Sequence, residues 1–249
     1  MRIGVISGYQ LKSLIKKTEV ITVSNTYGEV KMELSDFNDH KLFFINRHGA
    51  MANLPPHMIN YHANIQAFAD AHVDYVVSVA TVGSLNKKIK PGDIVVPHDF
   101  IDMTKTRKYT FYNDTRTHVD MTNPYCSTLR EGIMKASSSK KIKTHNEGVY
   151  LATEGPRLET PSEIRLFSGY ADIVGMTGVP EVILARERGL CYASICLVVN
   201  MAAGLQERIR GEELQRVYNE KEPLIAEIIK SMIPLLESKE KRCCCSEKS

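Results

Sequence analysis

Six short apolar runs, rich in β-branched residues and separated by helical patterns, are the feature that most constrains the fold of this chain of 249 residues. Several runs are continuously apolar, which is typical of strands covered on both faces of a sheet. The runs occupy residues 3–6, 42–45, 75–79, 94–96, 172–175 and 192–199. Helical spacing or capping signals mark the stretches between them, at residues 58–71, from 161 onward, 180–188 and 212–236. Alternating strands and helices predict an α/β fold, a single domain with a central mixed, mostly parallel sheet flanked by helices.

One folded domain is predicted over residues 1–238, because 43% hydrophobic content suffices for one sizeable core and no Gly/Ser- or Pro-rich linker divides the chain. Residues 239–249 form a polar, cysteine-containing tail for which we predict disorder. Cys126, Cys191 and Cys196 lie in apolar contexts and are predicted to be buried free thiols. The three adjacent cysteines at 243–245 offer poor geometry for a structural zinc site unless partners lie elsewhere in the chain.

Composition and motifs exclude several classes of function. A net charge of +3 with a pI near 8.4, and the lack of an interleaved basic and aromatic stripe, argue against a nucleic-acid partner. No apolar stretch approaches the roughly 20 residues of a membrane span, and no secretory signal is visible, so we expect a cytoplasmic protein without a membrane partner. The lack of a GxGxxG or Walker loop argues against dinucleotide or ATP use.

The residues that follow the predicted strands point to a site for an anion. In α/β folds, ligands gather at the carboxyl ends of the strands. Those ends carry the segments Ser7-Gly8-Tyr9, Asn46-Arg47-His48-Gly49, Ala80-Thr81, Met176-Thr177-Gly178 and Asn200. An Arg-His pair, hydroxyl groups and small residues with backbone amides to offer are the donors that bind phosphate or another oxyanion.

Longer motifs in the chain resemble a known enzyme family. Similarity to the trimeric purine nucleoside phosphorylase and methylthioadenosine phosphorylase family is carried by the segments RHG, LPPHMINYHANIQAF, VGSLNKKIKPGDIVVPHDFIDMTKTR, EGPRLET and GMTGVPEVILARERGLCYASICLVVN. The resemblance extends from residue 3 to about residue 236. It implies a nucleoside phosphorylase domain that cleaves the N-glycosidic bond of a purine nucleoside with inorganic phosphate as co-substrate. It also implies a reaction that uses no metal, covalent nucleophile or organic cofactor.

Phosphate binding is implied by the resemblance for Arg47, His48, Ala80, Thr81 and Thr177. Thr177 has a second interpretation, because it also stands where a helix N-cap is expected. A departure from the family lies in the first loop, where Tyr9 replaces the small hydroxyl residue that members usually have there. Tyr9 can contribute its backbone amide, reach over the site with its phenol or swing out, and we expect mainly the amide.

Two positions indicate which purine base the chain accepts. Family members that act on 6-aminopurines carry two aspartates after the last strand, where this chain has Asn200 and Ala202. An amide donates N–H groups to N7 and O6 of a 6-oxopurine, and Glu159 stands where 6-oxopurine enzymes accept a hydrogen bond from N1–H. The resemblance thus implies catalytic roles for His48, Glu159 and Asn200. Two structural interpretations stay open, Asn200 as a turn residue at the strand end and Glu159 as a first-turn helix carboxylate.

Two further residues are implied to contact the sugar. Met176 resembles the methionine that lies against the ribose, and His118 resembles a histidine that reaches the 5′ group from a neighbouring subunit. We therefore expect a homotrimer or a dimer of trimers. The favoured function is purine salvage by phosphorolysis of inosine, guanosine or 5′-methylthioinosine. The alternatives are a methylthioadenosine phosphorylase with relaxed base choice and a nucleoside-binding protein of low activity.

Overall fold

The computed structural model describes residues 1–15, 19–237, 243 and 245. Within these residues, eleven strands join in one sheet: β1 (Arg2–Ser7), β2 (Glu19–Asn25), β3 (Gly28–Phe37), β4 (His40–Asn46), β5 (Tyr75–Ser84), β6 (Ile94–Val95), β7 (Asp99–Met103), β8 (Thr144–His145), β9 (Val149–Thr153), β10 (Ile173–Gly175) and β11 (Cys191–Met201). The same residues contain the helices α1 (Tyr61–Asp70), α2 (Ser127–Ser139), α3 (Pro161–Phe167), α4 (Gly178–Glu187) and α5 (Gly211–Glu237). Every predicted apolar run overlaps a strand, and every predicted helical stretch overlaps a helix.

The sheet is mixed and mostly parallel, as the sequence predicted. Its strand order is β2-β3-β4-β1-β5-β10-β9-β7, while β11 pairs with β5 and β6, and β8 pairs with β6. Strand β1 runs parallel to β4 and β5, and β11 runs parallel to β5. The β2–β3 hairpin and the short strand β10 supply antiparallel pairs.

Helices cover both faces of the sheet, which explains why its central strands are apolar on both sides. Helices α2 and α5 pack together and cover one face, where Ile133 and Ile229 are fully buried. Helices α1 and α4 cover the other face, where Phe68 and Leu184 are fully buried. Consecutive residues of β11 therefore enter different core clusters, and the strand has no polar side.

Capping residues mark the start of α3 and the end of α4 close to where the sequence predicts. Thr160 accepts a hydrogen bond from the Glu163 backbone, and the Glu163 side chain accepts one from the Thr160 backbone, so α3 begins with the predicted capping box. Helix α4 is followed by Gly189 at φ +66°, a left-handed conformation that suits glycine at a helix end. Helix α5 is one long helix that contains both Pro223 and Pro234.

The predicted tail, residues 239–249, lies outside the described residues except for Cys243 and Cys245. Of these two, Cys245 is buried and Cys243 is half-buried. Cys126, Cys191 and Cys196 are buried free thiols, as predicted. None of the described helices combines the length and the apolar character that crossing a bilayer requires.

The site lies where one edge of β5 has a gap in its strand pairing. Strand β11 pairs with β5 along its whole length, so β1 and β10 must share the opposite edge. There β1 pairs with residues 75–79 of β5, and β10 pairs with Gly83 and Ser84. Residues 80–82 lie between these two partners. Their backbone and side chains are left to line a cavity at the ends of the parallel strands.

Candidate active site

A cavity of about 210 Å³ lies at this gap and gathers most of the residues predicted from strand ends. The predicted residues that line it are Tyr9, Arg47, His48, Ala80, Thr81, Glu159, Met176, Thr177 and Asn200. The register of β1 and β4 explains why Tyr9 and Arg47 meet, because Ser7 at the end of β1 pairs with Asn46 at the end of β4. The loops that follow these two strands therefore leave the same edge of the sheet, side by side.

Arg47 is held at the cavity by a buried ion pair. It is 2% exposed, and its Nε and Nη2 donate to the two carboxylate oxygens of Glu181 at 3.0 and 2.9 Å. Nη2 also donates to Ser78 Oγ at 2.7 Å, and Nη1 donates to the Val79 carbonyl at 2.8 Å. Contacts with the described residues thus occupy Nε, Nη2 and one hydrogen of Nη1, which leaves the second Nη1 hydrogen for a ligand.

Arg47 keeps its charge at neutral pH. Burial opposes the charge on Arg47, but attraction to the Glu181 carboxylate outweighs it and raises the pKa of Arg47 above its ordinary value. Glu181 itself is fully buried and also accepts hydrogen bonds from Ser78 at 3.0 Å and Tyr192 at 2.8 Å. The cavity floor therefore presents one guanidinium N–H of a neutralised ion pair, rather than a free two-pronged clamp.

His48 is oriented by a backbone carbonyl. Its Nδ1 lies 2.6 Å from the carbonyl oxygen of Leu54, and because a carbonyl accepts only, Nδ1 carries the proton. Burial lowers the pKa of His48 below its ordinary value, and the charge of Arg47 acts in the same direction. The neutral ring then has a lone pair on Nε2, close to Gly8, where an added Cβ would lie only 2.9 Å from Nε2. His48 can accept a hydrogen bond from a phosphate hydroxyl when neutral and donate one when protonated.

Thr177 precedes α4, but its side chain makes no capping hydrogen bond. The backbone N–H groups of Thr177 and Gly178 are donated to the phenol oxygen of Tyr150, at 3.3 and 3.2 Å. Burial raises the pKa of Tyr150 to about 12, so the phenol is neutral at pH 7. Because Tyr150 satisfies the backbone, the Thr177 hydroxyl is left to serve a ligand.

The side chain of Tyr9 packs against α5. Its ring stacks on Tyr218 with centroids 4.4 Å apart and an interplanar angle of 28°. Its backbone N–H is donated to Ser7 Oγ at 3.2 Å. The amide that we expected to bind phosphate is thus already bonded in this conformation, and the ring forms part of the packing between the first loop and the last helix.

A β-bulge places Asn200 in the cavity. The pairing of β11 with β5 shifts register between Val198 and Asn200, and bulges of this kind re-aim a side chain. Asn200 is inside the strand rather than in a turn after it. Its Nδ2 donates to the Met201 carbonyl at 2.8 Å, which leaves the second N–H and the amide oxygen for a ligand. Gly83 is adjacent, and a Cβ there would lie 3.1 Å from Nδ2.

Glu159 lies in the loop before α3 and lines the same cavity. Its Oε1 accepts a hydrogen bond from Thr153 Oγ1 at 2.6 Å, so one carboxylate oxygen is held and the other is available. Glu159 precedes the N-cap Thr160, and the acidic residue of the first helical turn is Glu163. The interpretation of Glu159 as a first-turn helix carboxylate therefore does not describe this structure.

Arg107 joins the two loops that carry these groups, and sequence reasoning assigned it no role. It is buried, and its Nη1 donates to the carbonyls of Met176 and Val179 at 2.5 and 2.6 Å. Its Nη2 donates to the carbonyls of Thr153 and Glu154 at 3.2 and 2.7 Å. The loop before Glu159 and the loop before α4 are thereby fixed to one another. Arg107 is the last residue of the motif quoted above that ends in TKTR, which was the available signal.

Two predicted residues lie outside the cavity. Ala202 is 1% exposed and packs in a core cluster with Leu85, Leu151 and Ile164, behind the cavity wall. His118 is exposed in the loop between β7 and α2, where its Nε2 lies 3.3 Å from the Nε of Arg116. Its predicted role concerns a neighbouring subunit and stays a prediction.

The fold and the cavity define a class of protein: an α/β domain with a cavity at the ends of parallel strands that is lined by groups able to bind an anion. The chain belongs to the phosphorylase superfamily, whose family model matches residues 2–234.

Individual relatives cover nearly the whole chain. It is 45% identical over 229 residues to a probable S-methyl-5′-thioinosine phosphorylase of Methanopyrus kandleri, covering 91% of this chain and 89% of the relative. It is 44% identical over 252 residues to a probable 6-oxopurine nucleoside phosphorylase of Dictyoglomus turgidum, covering 98% and 95%. A solved methylthioadenosine phosphorylase from Schistosoma mansoni in complex with adenine superimposes with a TM-score of 0.91 at 28% identity, covering 96% of this chain and 93% of that one.

Proposed function

We propose that this chain is a purine nucleoside phosphorylase that acts on 6-oxopurine nucleosides, with 5′-methylthioinosine, inosine and guanosine as the substrate set. The observation that carries the proposal is the presence of Asn200 and Glu159 in one cavity with Arg47, His48 and Thr177. Relatives named for 6-oxopurine nucleosides and for methylthioinosine, at 44% and 45% identity, support the same assignment.

In the proposed reaction, phosphate occupies the end of the cavity near Arg47. The remaining N–H of Arg47 Nη1, the hydroxyl of Thr177 and Nε2 of His48 hold the anion against the sugar. A phosphate oxygen attacks C1′ as the N-glycosidic bond breaks, and the bonding electrons go to the departing purine. Catalysis consists of placing the anion in line and stabilising the charge that spreads into the base. No metal or organic cofactor takes part in this step.

The base end of the cavity is proposed to recognise the 6-oxopurine edge. The free N–H of Asn200 donates to N7 or O6, where negative charge grows as the bond breaks, and a Glu159 oxygen accepts from N1–H. A 6-aminopurine presents an unprotonated N1 at this edge, so the Glu159 oxygen would lose its donor and face a lone pair. We therefore expect discrimination against adenine nucleosides.

The apolar wall of the cavity favours the methylthio substrate within this set. Ile209 just before α5, Leu214 in the first turn of α5 and Leu158 line the cavity. An apolar surface binds a methylthio group well and leaves a 5′ hydroxyl without a partner. The methylthioadenosine phosphorylase alternative is retained because relatives with that name are 37% identical to this chain.

We also propose that the enzyme works in the cytoplasm as a homotrimer or a dimer of trimers, in which His118 of one subunit serves the site of the next. The exposed position of His118 on a long surface loop supports this arrangement.

The test is a panel of three nucleosides, 5′-methylthioinosine, inosine and 5′-methylthioadenosine, each with and without phosphate, with release of the free base as readout. We expect cleavage that depends on phosphate and is fastest with 5′-methylthioinosine. Cleavage without phosphate would indicate a hydrolase. Binding without cleavage would indicate a nucleoside-binding protein, and faster cleavage of methylthioadenosine would support the alternative enzyme.

A further inference from the structure

Four cysteine side chains from distant parts of the chain meet at the end of the sheet away from the cavity. They are Cys126, Cys191, Cys243 and Cys245, and their four sulfur atoms all lie within 4.8 Å of one another. The Cys191 and Cys243 sulfur atoms are 3.3 Å apart. Cys126, Cys191 and Cys245 are buried, and Cys243 is half-buried. Six cysteines occur in the chain, so a meeting of four of them at one point needs a physical explanation.

The fold brings the four thiols together from three places. Cys126 occupies the N-cap position of α2, and Cys191 is the first residue of β11. The Cys126 backbone N–H is donated to the Tyr192 carbonyl at 2.8 Å, which fixes these two positions relative to one another. Cys243 and Cys245 come from the segment after α5, and α5 packs against α2. The partners that a zinc site at residues 243–245 would need are therefore present.

The spacing of the thiols fits a tetrahedral metal site. Zinc–sulfur bonds of about 2.3 Å in a tetrahedron place the sulfur atoms about 3.8 Å apart. The observed sulfur separations, 3.3 Å for one pair and no more than 4.8 Å for any pair, bracket that value. Four thiolates without an oxygen ligand select a soft transition-metal ion rather than magnesium or calcium.

Cys126 is also placed to act as a thiolate ligand. Its sulfur accepts the Leu129 backbone N–H at 3.5 Å at the start of the thirteen-residue helix α2. Serine, threonine, aspartate or asparagine usually fills an N-cap, and a neutral thiol is a weak acceptor there. A helix N-terminus stabilises a thiolate, so the position suits a cysteine that is ionised by a bound metal.

We propose that Cys126, Cys191, Cys243 and Cys245 form a structural tetrathiolate site for one divalent transition-metal ion of the zinc class. Each thiol that ligates the ion loses its proton to solvent as the sulfur–metal bond forms. The four protein ligands leave no open position for a substrate, so the role is to tie the chain after α5 to the beginnings of β11 and α2. Asn200 lies nine positions after Cys191 along β11, a distance of about 30 Å, so the ion takes no part in the reaction at the cavity.

The first experiment measures metal binding by the full chain. The protein is purified without oxygen and with a phosphine reductant, its free thiols are counted, and it is then titrated with Zn²⁺ in competition with a chromophoric chelator. We expect one ion per chain, and a loss of affinity of at least about tenfold in Cys245→Ser and Cys243→Ser. Cys196→Ala is the matched control, because Cys196 is equally buried but lies outside the cluster, and it should bind like the wild type.

A cobalt spectrum on the wild-type chain keeps the test valid if a variant fails to fold. Co²⁺ in a four-sulfur tetrahedral site gives sulfur-to-metal charge-transfer bands and strong visible bands, which Zn²⁺ should then displace. Wild-type protein with all its thiols reduced that binds neither ion would overturn the proposal. So would a purified chain whose intact mass shows these cysteines paired as disulfides under the same oxygen-free conditions.

Stability and activity together test the structural role. Removing the ion should lower the melting temperature of the wild type and leave kcat/KM for the nucleoside unchanged when it is assayed below the transition. The Cys245→Ser variant should melt at the lower temperature of the metal-free wild type, whether or not metal is added. A change in kcat/KM without any change in melting temperature would contradict a structural site.

Discussion

Arg47 lies at the junction between the core and the cavity, and the two surroundings use different atoms of its guanidinium. Glu181 and Ser78 take Nε and Nη2, while one hydrogen of Nη1 is left on the ligand side. A phosphate contact was the role implied by the sequence. The structure adds a second role, since the same side chain neutralises a fully buried carboxylate. Truncating Arg47 is therefore expected to change the stability of the fold as well as ligand binding.

The first prediction follows from this pair. Arg47→Ala leaves the buried Glu181 carboxylate without its partner, and the free energy of unfolding should fall by about 3–5 kcal/mol, measured by denaturant titration. Arg47→Met combined with Glu181→Leu removes both charges and should cost less than Arg47→Met alone. If Arg47→Ala keeps wild-type stability and only the phosphate KM rises, the ion pair does not contribute to the stability of the fold.

The second prediction concerns the base. Asn200→Asp places a carboxylate where O6 carries lone pairs, so kcat/KM for 5′-methylthioinosine should fall by at least about two orders of magnitude, about 2.7 kcal/mol in the transition state. Activity on methylthioadenosine should fall less, because a protonated carboxyl donates to N7 and accepts from the 6-amino group. Asn38→Asp, in the exposed turn between β3 and β4, is the matched control. A wild-type ratio of the two substrates near or below one would show that Asn200 and Glu159 do not read the 6-position.

Ala202→Asp is not a useful companion to that variant. The family resemblance implies a second aspartate at this position in members that use 6-aminopurines, but here Ala202 packs in one core cluster with Leu85 and Leu151. A carboxylate added there would enter an apolar cluster without a partner. We expect the change to reduce stability rather than to increase activity on adenine nucleosides.

The third prediction concerns pH. Because burial lowers the pKa of His48 in the folded protein, the unfolded chain binds more protons as the pH falls through about 6.5. The stability contributed by neutral His48 is thus present above that value and is lost as the pH falls towards its folded pKa. Melting temperatures near pH 7.5 and pH 5.5 should differ more in the wild type than in His48→Gln. Equal shifts in the two proteins would show that His48 titrates normally.

At the scale of secondary structure, the sequence predicted the central strands of the sheet and missed several peripheral elements. Strands β1, β5 and β11 are continuously apolar because helices cover both sides of them. The β2–β3 hairpin is largely exposed, so its residues lack an apolar run. Helix α2 was missed because it contains Gly132 and several serines and starts at Cys126, which is not a usual N-cap residue.

The candidate site was predictable where residues follow strands and unpredictable where they do not. Strand ends share an edge of the sheet, so residues such as His48 and Thr177 could be placed together without a structure. Glu181 and Arg107 come from a helix and a loop, and their partners are set by packing between distant segments. A charged residue inside the apolar segment PEVILA was the signal for Glu181, because such a residue is seldom buried without a partner.

The fourth prediction concerns the contact between the first loop and α5. Stacking of Tyr9 on Tyr218 joins these elements, and an aromatic pair contributes about 0.5–1.5 kcal/mol beyond the area it buries. Tyr9→Thr should therefore lower the free energy of unfolding, while phosphate affinity stays equal or improves because a small hydroxyl is restored to the loop. A double-mutant cycle with Tyr218→Ala should give a coupling of this size. A Tyr9→Thr variant that is stable but inactive would show that the phenol acts on the substrate.

At the scale of the whole molecule, the position of His118 poses the question of assembly. The cavity is built from strand ends of one chain, whereas His118 lies on an exposed loop outside it. In a closed ring, each subunit can present that loop to the next subunit's cavity. We therefore expect sedimentation to show a trimer or a multiple of three. A fully active monomer would contradict both the assembly and the shared site.

The fifth prediction tests the shared site by complementation. His118→Ala and Thr177→Ala chains should each form nearly inactive trimers, because every site lacks either the neighbour's histidine or its own threonine. Co-expressed chains form mixed trimers, in which about one quarter of the sites have an intact Thr177 from one subunit and an intact His118 from the next. The mixture should recover activity in that proportion. Replacing the second chain by the double variant His118→Ala/Thr177→Ala removes every intact His118, so this control should show no recovery. Mixed trimers that stay inactive while each variant is folded would show that His118 does not serve a neighbouring site.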